Sequence, residues 1–541
     1  MYVFRGNRNK IDLGSSAFRR FIERDLLYVD KSAFIEHVFS NESQVLLFTR
    51  PRRMGKSLNL DMLRVFLDPL EDAGGSVPGL FSGLYLESRP VFAELGKHPV
   101  ISLDFRDFKT HNYKEIFGRT VKKQLLRYVD EDALSADTMA DFADPVKYYD
   151  RLLADALEVL DEKYPGSPWL LIDEYDKLFM DGAKLGGGEF DEIRTFTRFV
   201  LASALKGNPH LGKGILTGVN RIAQESMFSE LNNIKVYGVL SESAFDTDFG
   251  FSEDEVSDVC TEKELADVRA WYNGYRIGAE KVYFTYSVMN YLSDGHLGNY
   301  WGQSGMMDSI KAALTPDRLA NISDIIGGFG GACFTTLVKD RLSVDDMDGY
   351  RNDDAFYSLL LQSGYLTYDP SEHDGEYQIY LPNLELQSVW RQFIVANIYN
   401  SVPSAVMKTF ELTGDAEAFS GALAELINGK LSYFDLDSVE PEKTYHVFVL
   451  GLLAASGVHV VSNREAGKGR WDVTALFPSR SVIFEFKQTK KDAALRRAAK
   501  AAYKQILDKR YADGAPKALP VYGAGVGFCG KVCAVTNARV R

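Results

Sequence analysis

The first half of the chain alternates short apolar runs with longer segments whose apolar residues recur at helical spacing. The apolar runs cover residues 45–48, 100–105, 168–173 and 213–219. The helical patterns cover residues 58–67, 112–130, 145–163 and 190–206. Apolar runs of this length, followed by helices, are typical of a parallel sheet that is buried on both faces. The pattern therefore predicts an α/β fold for this half.

The run at 45–48 leads into Thr49-Arg50-Pro51-Arg52-Arg53-Met54-Gly55-Lys56-Ser57, which opens onto a helical pattern. A loop of this kind directs backbone N–H groups and a helix N-terminus at one point and binds phosphate there. Lys56 would reach the β- and γ-phosphates and Ser57 would bind Mg²⁺, while Arg53 and Gly55 line the loop. Arg50 stands where the usual motif has its first Gly. The alternative is an ordinary helix N-terminus that contains a Ser.

A second apolar run ends in the acidic residues Asp173 and Glu174. At the carboxyl end of a parallel strand, Asp173 would hold Mg²⁺ and Glu174 would polarise the attacking water. The alternative is a strand-end helix cap. Asp104, at the end of another run, either faces the phosphates or is a solvated loop acid.

The run at 213–219 is followed by Asn220 and Arg221. Asn220 is placed as a polar sensor of the γ-phosphate. Arg221 stabilises transition-state charge in its own subunit or in a neighbouring one, or it forms a surface salt bridge. Gly186-Gly187-Gly188 predicts a flexible loop that takes no part in phosphate binding.

The middle of the chain begins with helices, since Ser252 and Glu255 have the spacing of a capping box. The turn Trp271-Tyr272-Asn273-Gly274-Tyr275 either stacks on bases or forms a packed corner. Strands at 365–369 and 377–383 predict a β-hairpin after helices, hence a winged-helix-like lid that either binds DNA or reports nucleotide state. The span 399–436 predicts a helical connector.

Near the C-terminus, Asp472 and Glu485 lie on two strands joined by a Pro-Ser turn. Antiparallel pairing brings Asp472 towards Glu485, and the strand period of two puts Lys487 on the same face as Glu485. Two carboxylates and an ammonium suit Mg²⁺-dependent phosphodiester cleavage, with Mn²⁺ as an alternative metal. The alternative is a hairpin with surface charges.

The segment 487–510 carries Lys and Arg at positions 487, 490, 491, 496, 497, 500, 504, 509 and 510, against Asp492 and Asp508. It predicts either a basic face beside a phosphate backbone or a solvated helix face. The whole chain is acidic, with a net charge of −13, which argues against indiscriminate coating of nucleic acid.

The composition is that of an ordinary globular protein, with 45% hydrophobic and 25% charged residues among 541. Its four cysteines are too few for a disulfide framework, so we expect a reducing, cytoplasmic compartment. We expect no signal peptide, because residues 1–10 are mixed and charged. We expect no membrane contact, because the most apolar stretch, 447–461, is shorter than a bilayer span and predicts a buried helix followed by a strand.

Several of these motifs together resemble the AAA-ATPase-like family of prokaryotic proteins fused to a PD-(D/E)XK nuclease-like domain. The matching segments are 28–32, 50–57, 171–176, 216–223, 229–233, 271–275 and 362–366. The family has an Arg at the position of Arg50. Segments 442–446, 469–472, 485–487, 505–506 and Tyr511 follow the order of the family's nuclease-like domain, with Trp471 in place of a Pro.

The resemblance implies an α/β P-loop NTPase with an AAA/ASCE-type parallel sheet at 1–250. A helical and winged-helix-like lid would follow at 251–400, a helical connector at 401–438 and a small α/β PD-(D/E)XK nuclease-like domain at 439–541. It further implies that Glu442 is an additional metal-binding acid and that Gln505 faces the scissile bond.

The sequence thus predicts an ATP-hydrolysing protein that gates a metal-dependent nuclease acting on DNA or RNA, in defence against foreign nucleic acid. The expected cofactors are ATP and Mg²⁺. The expected partners are nucleic acid, with DNA favoured over RNA, and further copies of the chain. The alternative is a nucleotide-switched scaffold whose nuclease-like domain binds nucleic acid without cutting it.

Overall fold

The computed structural model divides the chain into two compact units. The N-terminal unit comprises Met1–Trp301 and Leu337–Tyr377, and the C-terminal unit comprises Gly302–Thr336 and Gln378–Arg541. The structure describes residues 4–72, 74–222, 233–302, 310, 313–327, 331–343, 346, 352–394, 421, 423–424, 441–455, 458–462, 465–466, 469–470, 472–477, 480–516, 519–529 and 532–541. The division into four domains remains a prediction, and most of its helical connector lies outside the described residues.

The strands and helices are numbered in chain order. The described strands are β1 (Phe4–Arg5), β2 (Tyr28–Val29), β3 (Val45–Thr49), β4 (Val100–Asp104), β5 (Trp169–Asp173), β6 (Lys213–Gly218), β7 (Ile234–Tyr237), β8 (Tyr275–Ile277), β9 (Glu280–Val282), β10 (Phe334–Leu337), β11 (Thr367–Pro370), β12 (Glu376–Tyr380), β13 (His459–Ser462), β14 (Glu465–Ala466), β15 (Gly469–Arg470), β16 (Val473–Leu476), β17 (Ser481–Gln488), β18 (Val521–Cys529) and β19 (Val532–Arg539).

The described α-helices are α1 (Phe18–Glu23), α2 (Ala33–Phe39), α3 (Lys56–Leu67), α4 (Val77–Leu80), α5 (Tyr113–Leu125), α6 (Ala136–Ala143), α7 (Pro145–Tyr148), α8 (Leu152–Lys163), α9 (Lys177–Leu185), α10 (Gly187–Leu205), α11 (Glu253–Val259), α12 (Glu262–Tyr272), α13 (Thr285–Asp294), α14 (Pro316–Gly327), α15 (Asp353–Ser363), α16 (Leu384–Ile394), α17 (Pro441–Ala455) and α18 (Leu495–Asp508).

A five-stranded sheet organises the N-terminal unit. Its order is β4-β5-β6-β3-β7, and every neighbouring pair is parallel. Strand β6 therefore lies between β3, which leads into the Gly-Lys-Ser loop, and β5, which ends at Asp173. Because the carboxyl ends of parallel strands share one edge, the loop and the acidic strand end meet there. This parallel sheet confirms the predicted α/β class.

Both faces of this sheet are buried. Leu47 packs in one hydrophobic cluster, together with residues of α5, α8 and α10. Leu46 and Phe48 pack in the other, together with residues of α2 and α3. Side chains alternate between the faces of a strand, so a strand that is covered on both sides must be apolar at every position. This is why the strands appear in the sequence as continuous apolar runs.

The prediction of a flexible loop at Gly186-Gly187-Gly188 is wrong. Gly186 alone separates α9 from α10, and Gly187 and Gly188 form the first turn of α10. Gly186 and Gly187 have φ values of 70° and 58°, which glycine adopts without strain. These glycines therefore make a sharp junction between two helices rather than a long loop.

The middle of the chain adds helices and short hairpins. The predicted capping box of Ser252 and Glu255 starts α11, and the structure adds a second box that starts α12. Tyr272 and Tyr275 are buried, which favours the packed corner over base stacking. Helix α15 is followed by β11 and then β12, its neighbour in a small sheet, so the predicted hairpin is confirmed.

The C-terminal unit contains a mixed five-stranded sheet. Its order is β13-β16-β17-β18-β19, and β17 and β18 are its parallel pair, connected through α18. The predicted hairpin of β16 and β17 and the predicted buried helix α17, followed by β13, are confirmed. This small sheet domain agrees with the predicted nuclease-like fold. Among the described residues, no helix is long and apolar enough to cross a membrane.

Candidate nucleotide and nuclease sites

The loop between β3 and α3 has the backbone geometry of a phosphate cradle. Gly55 is the residue that precedes α3, with φ of 82°, and Arg53 adopts φ of 64°. These left-handed residues turn the chain sharply into the helix, whose N-terminus attracts anions. Lys56 is buried, and its Nζ donates to the carbonyl oxygens of Arg50 and Pro51, both at 3.0 Å. The ammonium group of Lys56 therefore contacts the start of the loop, at Arg50 and Pro51.

Asp173 accepts several hydrogen bonds at the edge of the sheet. Ser57 Oγ donates to its Oδ2 at 2.5 Å, while Thr217 Oγ1 and the Glu174 backbone N–H donate to its Oδ1 at 2.5 and 3.0 Å. A hydroxyl and a carboxylate in contact are the hard oxygen ligands that suit Mg²⁺. Ser57 and Asp173 therefore fit the role predicted for them, although among the described residues no group of three or more metal-ligating side chains is gathered.

Glu174 is turned towards the loop by an unusual backbone conformation. Its φ is 50°, and its Oε1 lies 3.7 Å from Lys56 Nζ. Residues other than glycine rarely adopt this conformation, and such strain is frequent at functional sites. The structure thus brings Lys56, Ser57, Asp173 and Glu174 together.

Asn220 is held in place by Asp176, to which the sequence analysis gave no role. Asp176 Oδ2 accepts hydrogen bonds from the backbone N–H of Asn220 at 2.8 Å and from its Nδ2 at 3.1 Å. Burial and the charge of Glu174 raise the pKa of Asp176 to about 6. The signal in the sequence was a third acid close behind Asp173 and Glu174. Asp176 therefore orients the residue predicted to sense the γ-phosphate.

In the C-terminal unit, strand register places Asp472 beside Glu485. Val473 pairs with Phe484, so the residues directly before and after this pair face each other. Asp472 Oδ2 accepts a hydrogen bond from the Phe486 backbone N–H at 2.8 Å. Burial and the charge of Asp472 raise the pKa of Glu485 to about 8, and Lys487 opposes this rise. The two carboxyl groups and the ammonium group therefore interact, as the alternation predicted.

Gln505 reaches Glu485 because α18 packs very close to β18. A Cβ on Gly525 would lie 2.2 Å from the backbone of α18, and Gly525 is in register with Glu485. Gln505 Nε2 donates to Glu485 Oε1 and lies 3.4 Å from the Tyr511 hydroxyl. Glycine is needed where two backbone segments approach so closely. The glycines of β18 thus set the position of Gln505.

The second carboxyl oxygen of Glu485 is suited to a cation. Glu485 is 4% exposed, and among the described residues its Oε2 has no hydrogen-bond partner. An unpartnered buried carboxylate is costly unless it is protonated or binds a cation. Asp472 and Glu485 therefore fit a divalent metal. Glu442 lies in the first turn of α17, and its side chain is outside the described residues.

Comparison with known proteins matches two regions of the chain to family models. Residues 12–228 match a family model described as "Predicted AAA-ATPase", and residues 440–538 match the model of the PD-(D/E)XK nuclease superfamily. The two matches show an AAA-ATPase-like region followed by a PD-(D/E)XK nuclease-like region. A protein of Azotobacter chroococcum mcd 1, named "Uncharacterized protein in vnfD 5'region", is 25% identical over 96% of this chain and 97% of its own length.

In the AAA-ATPase-like region, two predicted site residues make their contacts outside the phosphate-binding loop. Arg53 stacks on Tyr286, with 4.2 Å between its guanidinium carbon and the ring centroid, and donates to the Tyr300 carbonyl. Arg221 forms an ion pair with Asp340. Among the described residues, the structure records no hydrogen bond or ion pair from Arg221 to Lys56, Ser57 or Asp173. The functional roles of Arg53 and Arg221 remain predictions.

Arg50, at the position of the usual first glycine of the motif, is buried in the interior. Its fully buried guanidinium donates to the carbonyl oxygens of Thr49, Tyr237 and Phe245 at 3.0, 2.7 and 3.4 Å. Burial lowers the pKa of Arg50 to about 10. Arg50 therefore ties the end of β3 to the last residue of β7 and to the chain that follows β7.

Four of the nine basic residues in the segment 487–510 lie on the outer face of α18. Ala499, Ala502 and Ile506 are buried against the sheet. Among the basic residues, the exposed ones on this helix are Arg496, Arg497, Lys500 and Lys504. Their placement is compatible with both sequence interpretations, a nucleic-acid contact and a solvated face.

Proposed function

We propose that the protein hydrolyses ATP and uses its nucleotide state to gate metal-dependent cleavage of nucleic acid. The observation that carries this proposal is that one chain holds two assembled sets of residues. One set consists of Lys56, Ser57, Asp173 and Glu174, and the other of Asp472, Glu485, Lys487 and Gln505. DNA is the favoured substrate and defence against foreign nucleic acid the favoured setting.

The ATP site performs its chemistry by positioning and electrostatics. The loop amides and Lys56 would bind the phosphates, and Ser57 and Asp173 would hold Mg²⁺. Glu174 is close enough to the loop to orient a water molecule towards the γ-phosphate and to accept its proton. Asn220, fixed by Asp176, contacts the γ-phosphate and reports its loss. Hydrolysis at this site is the event that gates the second site.

The nuclease site uses two carboxylates, of which Glu485 is buried. Asp472 and Glu485 would hold Mg²⁺ or Mn²⁺, and the metal would supply an activated water and neutralise charge at the phosphodiester. Lys487 orients the nucleophile and offsets the developing negative charge. Gln505 fixes one Glu485 oxygen and leaves the other for the metal. The exposed basic residues of α18 hold the phosphate backbone beside the site.

The proposal is tested by incubating purified full-length protein with linear, circular and single-stranded DNA and with RNA. Each substrate is combined with Mg²⁺ or Mn²⁺, with and without ATP. We expect metal-dependent cleavage of DNA whose rate changes when ATP is added, and no cleavage by Glu485→Gln. Binding of one substrate without cleavage of any would reject the nuclease and favour the nucleotide-switched scaffold.

A further inference from the structure

Arg106 lies at the nucleotide site although it belongs to neither sequence motif. It sits in the turn Phe105–Asp107, directly after β4. Its Nε lies 2.9 Å from both carboxylate oxygens of Asp104, and its Nη2 lies 3.4 Å from Asp173 Oδ2. Asp104 and Asp173 are register partners on adjacent parallel strands. The guanidinium group thus bridges two carboxylates at the edge of the sheet.

The contact with Asp173 is shared with the residue expected to bind Mg²⁺. Asp173 Oδ2 accepts a hydrogen bond from Ser57 Oγ and also faces Arg106. Like charges a few ångströms apart repel strongly in a partly buried site. When Ser57 and Asp173 hold Mg²⁺, Arg106 is therefore expected to give up its contact with Asp173.

Arg106 is exposed enough to move and keeps a second partner that would hold it at the site during such an exchange. Its side chain is 50% exposed, and its main partner, Asp104, also accepts a hydrogen bond from the Arg106 backbone N–H at 2.9 Å. The ion pair with Asp104 lies within one short turn and involves both Nε and Nη2, the latter donating to Asp104 Oδ2 at 2.5 Å. It can therefore persist when the longer contact of Nη2 with Asp173 is lost. The two arginines assigned to this site from the sequence are held elsewhere, Arg53 on Tyr286 and Arg221 on Asp340.

We propose that Arg106 is a γ-phosphate-binding arginine of this site, which remains tethered to Asp104 and exchanges Asp173 for the γ-phosphate of ATP. The inference rests on the proposed ATPase function. A planar guanidinium can bind a carboxylate and a phosphate through different edges, which a lysine cannot. Because ADP lacks the γ-phosphate, Arg106 makes the site prefer ATP over ADP.

The test is the ratio of ADP to ATP dissociation constants, measured by calorimetry in the presence of Mg²⁺. Glu174→Gln serves as the background for all measurements, so that ATP is not consumed. We expect Arg106→Gln to lower the preference for ATP by about tenfold, the size of a lost charge-assisted hydrogen bond, while ADP affinity is kept. Arg106→Lys should give an intermediate preference.

Arg89→Gln is the matched control, since Arg89 is also partly exposed and bound to a carboxylate, that of Glu36, on another part of the unit. It should leave the preference unchanged. An unaltered preference in Arg106→Gln, or equal losses of ATP and ADP affinity, would overturn the inference. If Arg106→Gln does not fold, Arg106→Lys decides by the same criterion. A parent protein that binds neither nucleotide would instead refute the proposed ATPase.

Discussion

Replacing Glu485 by Gln should stabilise the C-terminal unit at alkaline pH while abolishing nuclease activity. The pKa of Glu485 is raised from 4.5 to about 8 in the folded protein. A carboxyl group whose folded pKa is raised contributes stability that is complete below about 4.5 and is lost as pH rises through about 8. Gln keeps the shape of the protonated side chain and carries no charge at any pH.

The magnitude follows from the size of the pKa shift. At about 1.36 kcal/mol for each pKa unit, the rise in the pKa of Glu485 from 4.5 to about 8 corresponds to a loss of at most about 5 kcal/mol in the free energy of unfolding. For a unit of this size, that energy moves the unfolding temperature by on the order of 10 °C. The wild-type protein should therefore lose stability between pH 5 and pH 8. Glu485→Gln should not show the loss that comes from ionisation of Glu485.

The assay is differential scanning calorimetry of the full chain at pH 5 and pH 8, with and without Mg²⁺. Mg²⁺ should restore stability to wild type at pH 8, because cation binding compensates the buried charge, and should not affect Glu485→Gln. Asp508→Asn is the control, since Asp508 is exposed on α18. Equal pH dependence in wild type and Glu485→Gln would refute the argument that Glu485 is buried in a site that penalises its charge.

Three further predictions concern the two activities. In a fluorescent-nucleotide titration, Lys56→Ala should abolish ATP binding and Glu174→Gln should preserve it. Glu174→Gln should reduce phosphate release by about 10²-fold or more, because only the chemical step loses its base. Equal turnover in wild type and Glu174→Gln would contradict this. Lys487→Ala should reduce DNA cleavage by about 10²-fold in a gel assay and leave phosphate release intact; parallel loss of both would show that Lys487 acts on folding. Replacing Arg496 and Arg497 by Gln should weaken DNA binding, measured in anisotropy titrations at several salt concentrations. The slope of the logarithm of the binding constant against the logarithm of salt concentration should flatten by about one unit for each lost phosphate contact. An unchanged slope would assign these residues to a solvated face.

The sequence determined those parts of the protein that depend on neighbouring residues. The buried strands appear as apolar runs because both faces of the sheet are covered, as Leu46 and Leu47 show by packing on opposite sides. The loop before α3 could be predicted from the sequence because Gly55 supplies the left-handed turn that starts the helix. The pairing of Asp472 with Glu485 was predictable because a short turn fixes the register of a hairpin.

Only the tertiary structure decided which distant side chains share a site. Arg106 meets Asp173 because β4 lies beside β5, and no local pattern in the sequence states that order. Asp176 holds Asn220 because β6 lies next to β5, and Arg221 faces Asp340 instead of the loop interior. Local spacing fixes the direction of a side chain along its own strand or helix. The order of strands in the sheet and the close approach of helices fix its partners, because those contacts join segments that are far apart in the chain.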